Sequence, residues 1–432
     1  MLYFSKTNYK IAPTSLSLGF TLECSLSIHR AFGSVYFTWK GGDFISLEYH
    51  QLELPFPKLN LEAPVEFLPY IPMRITVNEI VKRYLETHVD FRTEDILHKL
   101  IECGTGKLGY HLDICDNCGN VRVVANPCNH SLCTVCQERR SELWIESRIP
   151  ELLPVPYFHI IFCLTNELLE FAMYNKKIVF DIMFIASASA MNEVPDREGT
   201  EIGFINSLHT STADFWFDPH MHICTPGIGI LKNGKLNEYK TVEALRLSES
   251  QLRQKFRDVF LEKLQEKYCD QAVKIDEENM EEVLNWPNDL EYEDKEAETI
   301  KWPKKLEDLE GDEEKFNEWI GELKAKEWDV KIREPRESED AKRILIEYIG
   351  QRLAIRDSQI IEADDKQVIF RDKRGEKQEM EIDEFIRRLK THTMPSGYHR
   401  IRNYGFLSNS KKREKLKEIR EKFSVVRFKS CL

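Results

Sequence analysis

The stretch 218–224, DPHMHIC, sets two histidines two residues apart among apolar neighbours. In an extended strand, alternate side chains share one face. His220 and His222 would then stand side by side, with the Asp218 carboxylate on the same surface. Neutral imidazoles with an oxygen ligand suit a divalent cation such as Mn²⁺ or Mg²⁺. A lone His-x-His pair is more often an ordinary pair of surface or core histidines. Its meaning therefore depends on what flanks it.

Outward from the pair, IGFINSLHTST (202–212) reads as one strand and YFHIIFCL (157–164) as a buried one, with a helix over 167–192 between them. MHICTPGIGIL (221–231) continues as a strand broken at Pro226 and Gly227, and Asn233-Gly234 marks a hairpin turn. Strands carrying His209 and His220/His222 can lie side by side. Further on, AKRILIEYIG (341–350) has helical spacing, with Gly350 as its C-cap. Tyr348 falls on its apolar stripe, where a tyrosine is ordinarily a half-buried core aromatic.

Upstream lie most of the cysteines. The chain has 11, and six fall between Cys103 and Cys136. Cys115/Cys118 and Cys133/Cys136 are C-x-x-C pairs, and Cys128 precedes the second pair. Each such turn offers two thiolates to one ion, and two turns complete a tetrahedral S₄ or S₃N zinc site. Cys103, His111, Cys115, Cys118, Cys128, His130, Cys133 and Cys136 are the candidate ligands, enough for one zinc or two. The alternative is a redox pair. Structural zinc substitutes for a hydrophobic core in a small module.

Charge is uneven over the 432 residues. The net charge of −12 argues against a uniformly basic nucleic-acid binder. An acidic excess of about fifteen lies near 275–340, interrupted by Trp286, Trp302, Trp319 and Trp328, and a basic excess of about ten follows Glu384. In GYHRIRNYGF (397–406), Arg400 and Arg402 alternate with Tyr398 and Tyr404. Cations for phosphates among aromatics for bases suit single-stranded DNA. Residues 1–72 carry strand-like alternation at 34–39 and 44–49 and a proline-rich run from Pro55 to Pro72, but no chemistry. The apolar run Leu16–Phe20 is too short to cross a membrane, so a cytoplasmic protein is expected.

Taken in order, the cysteine block, LLPVPYFHIIFCLT (152–165), IGFINSLHT (202–210), DPHMHICTPG (218–227), WDVKIREP (328–335), EYIGQRLAI (347–355) and DEFIRRLKTHTMPSGYHRIRNYGFLSN (383–409) resemble the rolling-circle transposases of bacterial insertion sequences. These belong to the HUH tyrosine class and carry a zinc-binding N-terminal module. The resemblance covers roughly 75–410 and leaves out 1–72 and the acidic segment.

It implies an α+β fold: a zinc module, then an HUH-type antiparallel sheet packed by helices, with an acidic helical insertion. The implied divisions are an N-terminal extension (1–72), a helical lead-in and zinc module (73–150), a first catalytic part (151–262), the insertion (263–337), the tyrosine helix with the rest of the catalytic domain (338–410) and a basic tail (411–432). It implies structural Zn²⁺ and a catalytic Mg²⁺ or Mn²⁺ on His220 and His222, with Asp218 as third ligand and His209 or Gln351 as alternatives. Tyr348 becomes the nucleophile that cuts single-stranded DNA at the element's ends, leaving a 5′-phosphotyrosine and a free 3′-OH. Arg400, Arg402, Tyr404 and Lys411 become DNA contacts. The sequence departs from the family at the second tyrosine, where Arg352 or a short gap stands, and at Ser211 and Ala213, where Trp and Gln are usual. The rival readings are a decayed transposase that only binds DNA and a plasmid replication initiator or relaxase-type nickase.

Overall fold

The computed structural model describes residues 75–87, 94–114, 121–193, 199–281 and 299–430, with three short strands before residue 39. Side chains of 272–281 and 424–430 lie outside the description. So do the expected strand at 44–49, the run Pro55–Pro72, Cys115, Cys118 and Trp286. The chain forms two compact units, each built from non-contiguous stretches.

The first unit holds residues 1–137, 356–371 and 377–386. Its helices Val77–Thr87 and Glu94–Ile101 bury Val77, Ile80, Val81, Leu97 and Leu100, which recur at three- and four-residue intervals. The hairpin Tyr110–Ile114/Val121–Ala125 follows, and then the first turn of the helix Thr134–Arg148. The strands Ile360–Ala363, Gln367–Arg371 and Lys377–Glu381 form an antiparallel sheet in this unit. From residue patterns that segment reads as part of the catalytic domain, but specific bonds tie it to the N-terminal helix. The Asp357 carboxylate accepts from the Val77 amide (2.8 Å) and from Thr134 Oγ1 (2.9 Å). Arg83 donates to the Ala363 carbonyl at 2.7 Å. A helix's first amides lack partners of their own, and here a residue 280 positions later supplies one.

The second unit is built on a seven-stranded antiparallel sheet. Its strands are β1 (Tyr157–Cys163), β2 (Glu201–Ser211), β3 (Phe217–Pro226), β4 (Ile228–Ile230), β5 (Leu236–Glu238), β6 (Asp329–Arg336) and β7 (Ile401–Gly405). The order is β5-β4-β2-β3-β1-β6, with β7 pairing β2. The helices that lie wholly within this unit are α1 (Leu169–Tyr174), α2 (Lys176–Glu193), α3 (Glu249–Glu281), α4 (Glu313–Ala325), α5 (Ser338–Ile344) and α6 (Lys412–Ser430). Period-two alternation divides the sheet's side chains. Phe158, Ile160, Phe162, Phe204, Leu208, Met221 and Ile223 share a buried cluster with α2 and α3 residues such as Phe180, Phe184, Phe256 and Phe260. The alternate positions carry the histidines.

The described part of the acidic stretch, from residue 299 onward, packs into the main core. Phe316, Trp319, Ile320 and Leu323 follow helical spacing along α4 and, with Trp328, enter the same core. Its acidic side chains take the outer face of α4, and β6, read from sequence as part of the insertion, is a strand of the main sheet. The helix expected over 167–192 breaks into α1 and α2 at Asn175, whose side chain donates to the carbonyls of Phe171 (3.0 Å) and Lys301 (2.7 Å).

Strand β7 ends at Gly405, which has φ +58° and lies so close to β2 that a Cβ would run into the Ile202 carbonyl. Gly405→Ala is expected to cost at least about 2 kcal/mol, combining a left-handed backbone with a backbone clash. Gly375 has φ +90°, but a methyl group there would meet nothing within 4 Å, so Gly375→Ala is expected to cost only about 1 kcal/mol. Urea midpoints of the two variants should separate in that order; equal midpoints would refute the clash.

Candidate metal centres and the tyrosine turn

Four thiols converge in the first unit. Cys103, Cys128, Cys133 and Cys136 place their sulfurs within 4.8 Å of one another. The Sγ–Sγ separations are 3.5 Å for Cys103–Cys136, 3.6 Å for Cys133–Cys103 and 3.8 Å for Cys128–Cys136. Four thiolates about 2.3 Å from one Zn²⁺ lie about 3.8 Å apart, so the set fits a tetrahedral ion. The amides of Cys128 and His130 point at Sγ of Cys103 and Cys128, both at 3.5 Å. Asn78 Nδ2 points at Cys133 Sγ at 3.5 Å. Such donors favour the deprotonated sulfur that a metal needs. Cys133 also immediately precedes the helix Thr134–Arg148, whose positive N-terminal end acts in the same sense.

Among the described residues, Cys133 and Cys136 are completed by Cys103 and Cys128, while Cys115 and Cys118 lie outside the description. The two candidate histidines are elsewhere. His111 Nδ1 lies 2.8 Å from Asn126 Oδ1, and its Nε2 is 3.7 Å from Asp113. His130 Nδ1 accepts from the Leu132 amide at 3.3 Å, turning the ring back onto its own loop.

In the second unit the registers of β1, β2 and β3 bring four imidazoles to one face. His209 lies opposite His220, Ser207 opposite His222, and Ile161 opposite His222 from the other side. Nitrogens of His209, His220 and His222 lie within 4.8 Å of one another. Each ring spends one nitrogen on the protein. His220 Nδ1 donates to the Asp218 carbonyl (2.7 Å), and His209 Nε2 donates to the Tyr348 carbonyl (2.5 Å). His222 Nδ1 pairs with His159 Nε2 at 2.8 Å. The opposite nitrogen of each ring is left to offer a lone pair to a cation. Burial, first of all, holds His209 and His222 well below the usual imidazole range, and it lowers His220 as well. All three are therefore neutral near pH 7, the form that binds metal.

The third imidazole is His209, whereas strand alternation pointed to the Asp218 carboxylate. A bulge explains the difference. Between the His209–His220 and Ser211–Phe217 pairs the register shifts, so Asp218 falls where the simple face rule fails. Its charge still raises the proton affinity of His220 against the effect of burial. Gln351 turns away, donating to the Ile346 carbonyl at 3.1 Å.

His159 escaped the sequence reading because it sits in an apolar strand. Its signal was period two: 159, 161 and 163 share a face of β1. Burial, then Arg333 and Arg336, depress His159 to about 4. Were Nε2 of His159 to accept in this pair, His222 would carry its proton on Nδ1, the tautomer that frees Nε2 for a ligand. His159→Ala is expected to weaken Mn²⁺ binding at this site about 10- to 100-fold by titration calorimetry. Unchanged affinity would remove His159 from the metal shell.

Tyr348 lies over this face. It sits in a π-helical turn, Leu345–Ile349, that continues α5. The ring centroid is 4.4 Å from that of His159 and 5.2 Å from that of His222. The turn closes through the Gly350 amide on the Leu345 carbonyl at 2.7 Å. Its carbonyls are also held by β2, through His209 to Tyr348 and Ser207 to Ile349 (3.0 Å). Single π turns occur often at functional sites. Gly350 is not the left-handed cap that the pattern suggested, since its φ is −77°. It is small because a Cβ would meet Ile145 Cγ1 at 2.6 Å.

Three of the four proposed DNA contacts lie away from the histidines, and the fourth, Arg400, acts on His209 through its charge. Arg400 turns inward, donating to the carbonyls of Leu208 (3.2 Å) and Arg352. Arg402 pairs with Asp181 at 2.6 Å and stacks on Phe184 at 4.0 Å, on the α2 side of the sheet. Tyr404 stacks on Phe204 on that same side, 5.0 Å between centroids. Lys411 lies at the surface, 3.5 Å from Glu201. The other cations whose fields reach the imidazoles are Lys373, Arg333 and Arg336.

Residues 203–415 match the family model Y2_Tnp, described as "Putative transposase". Residues 76–164 match Zn_Tnp_IS91, described as "Transposase zinc-binding domain". The chain is 30% identical over 363 residues to "Putative transposase y4qJ" of Sinorhizobium fredii, covering 80% of this chain and 83% of that one. It is 26% identical over 185 residues to "Transposase for insertion sequence element IS801" of Pseudomonas savastanoi pv. phaseolicola, 41% of this chain and 44% of the relative. No solved structure matches. Among the described residues, no helix is long and apolar enough to cross a membrane.

Proposed function

We propose a chemistry from one premise: this chain belongs to the IS91-like family of transposases that join a zinc-binding domain to a Y2-type domain. It acts as a DNA-cleaving enzyme that cuts and rejoins single strands at the ends of its element, with Tyr348 as the nucleophile. The observation that carries this reading is the Tyr348 ring set against an imidazole cluster, 4.4 Å from His159 and 5.2 Å from His222 between centroids, at tilts of 38° and 43°.

A divalent cation, Mg²⁺ or Mn²⁺, held by His209, His220 and His222 would supply a Lewis acid for a phosphoryl oxygen. The protein's own part is positional. His159 sets the tautomer of His222, while His209 and Ser207 pin the turn that bears the tyrosine. Tyr348 Oη forms a bond to phosphorus as the P–O3′ bond breaks. The phenolic proton passes to water, and the departing O3′ takes up a proton to become a free 3′-OH. The new ester keeps the bond energy, so a later attack by a 3′-OH on that phosphorus reforms the phosphodiester and returns the phenol without ATP. Arg352 has no nucleophilic oxygen, so one tyrosine performs cleavage and joining in sequence. The Cys103/Cys128/Cys133/Cys136 site holds structural zinc.

The test mixes protein with end-labelled single strands from the element's flanks and Mn²⁺, then runs a denaturing gel. A slow-migrating, protease-sensitive band is expected. Binding without any covalent band would leave a DNA-binding protein and end the catalytic reading.

A further inference from the structure

The hairpin that joins β2 to β3 carries a feature that the chemistry above does not use. Phe215 has φ +67°, a left-handed backbone that a bulky side chain rarely adopts. The turn is fixed around it, with Thr212 N donating to the Trp216 carbonyl and the Trp216 amide donating to Thr212 Oγ1, both at 2.9 Å. The consequence is a division of two neighbouring aromatics. Phe215 goes inward, 2% exposed, and stacks on His392 at 5.1 Å. Trp216 goes outward and keeps 45% of its surface in water. The Arg388 guanidinium lies 3.5 Å from the indole centroid and donates to the Asp214 carbonyl at 3.3 Å, which fixes the ring from one face. Lys373 reaches the same end of the sheet, its Nζ 2.8 Å from Ser211 Oγ, and its charge acts on His209, His220 and His222. Ser211 is two residues beyond His209 on β2.

Strain, an exposed indole and two cations thus meet at the end of the sheet that bears the imidazoles. A tryptophan kept for packing would be turned inward, as Phe215 is. Strained backbone of this kind collects at ligand sites, and an indole beside cations suits a flat, electron-rich ring joined to an anion. We propose that Trp216 and Arg388 form a stacking platform for one unpaired nucleobase of a single strand, with Lys373 beside the adjoining phosphate. This inference rests on the single-strand reading above and specifies where a base next to the reacting phosphate is held.

The test measures anisotropy of two fluorescein-labelled probes of equal length and charge, oligothymidylate and a wholly abasic strand, on the full chain. Wild type should favour the oligothymidylate. Trp216→Ala should weaken oligothymidylate binding roughly 5- to 100-fold. It should leave the abasic affinity and the slope against salt unchanged, because no phosphate contact is lost. Trp216→Tyr should restore most of the difference, and melting temperatures of the variants should match wild type. Oligothymidylate binding untouched by Trp216→Ala, or an equal loss for both probes, overturns the platform while single-strand binding stands. Absence of any binding by wild type at low salt overturns both.

Discussion

Tyr348→Phe is expected to abolish the covalent protein–DNA band and to lower strand cleavage at least about 10⁴-fold, the scale on which removal of a nucleophile acts. The substitution deletes one oxygen from a ring whose place is set by other groups. His209 and Ser207 hold the turn through backbone carbonyls, and the ring's contacts with His159 and His222 need no hydroxyl. Fold, zinc content and DNA affinity should therefore stay at wild-type values while the adduct disappears. A band that survives in the variant would assign the nucleophile to another residue. Tyr398 and Tyr404 are poor substitutes. Tyr398 donates to Asp181 at 3.0 Å, burial holds its phenol far above the usual range, and both tyrosines pack against the α2-side core.

The second large effect concerns the four thiols. Cys133→Ser, or treatment with a strong zinc chelator, is expected to unfold the first unit. Structural Zn²⁺ contributes on the order of 10 kcal/mol of binding energy that becomes folding energy. Val77, Ile80, Leu97 and Leu100, with Val368, Phe370 and Phe385 from the later segments, make a small core that would not hold alone. Limited proteolysis should open sites within 75–137 and at 356–386, and the chelated protein should release one zinc equivalent per four-thiol site. His130→Ala should keep that zinc, since His130 faces Leu132. Loss of the ion in His130→Ala would overturn the ligand assignment.

The α+β character was legible in the sequence because strand-like and helix-like apolar periods follow one another along it. The strand around His220 and His222, the break at Pro226 and Gly227, and the cysteine cluster followed from period and spacing. The third imidazole was harder. Pairing His209 with His220 depends on which strands neighbour each other, and the bulge next to it undoes the face rule for Asp218. Alternating charge and aromatics at 397–406 signalled a binding surface. In the fold the same alternation is a strand half-buried on both faces, so Arg402 and Tyr404 pack against α2 and Phe204. The acidic count masked a helix whose apolar side is core. Composition reports the wet side of an amphipathic helix more loudly than the dry one.

The bond from Asp357 to the first helix bears on how the protein is made. Translation proceeds from the N-terminus, and domains commonly fold as they leave the ribosome. The cysteine-bearing helices are synthesised early, but the carboxylate that accepts from Val77 and Thr134 arrives 280 residues after Val77. The strands Gln367–Arg371 and Lys377–Glu381 complete that unit later still. The zinc-binding half of the nascent chain must therefore wait, incomplete, until the sheet of the other half has been translated. A gene copy truncated before the codon for Asp357 would leave the zinc-binding unit without the carboxylate and the strands that complete it.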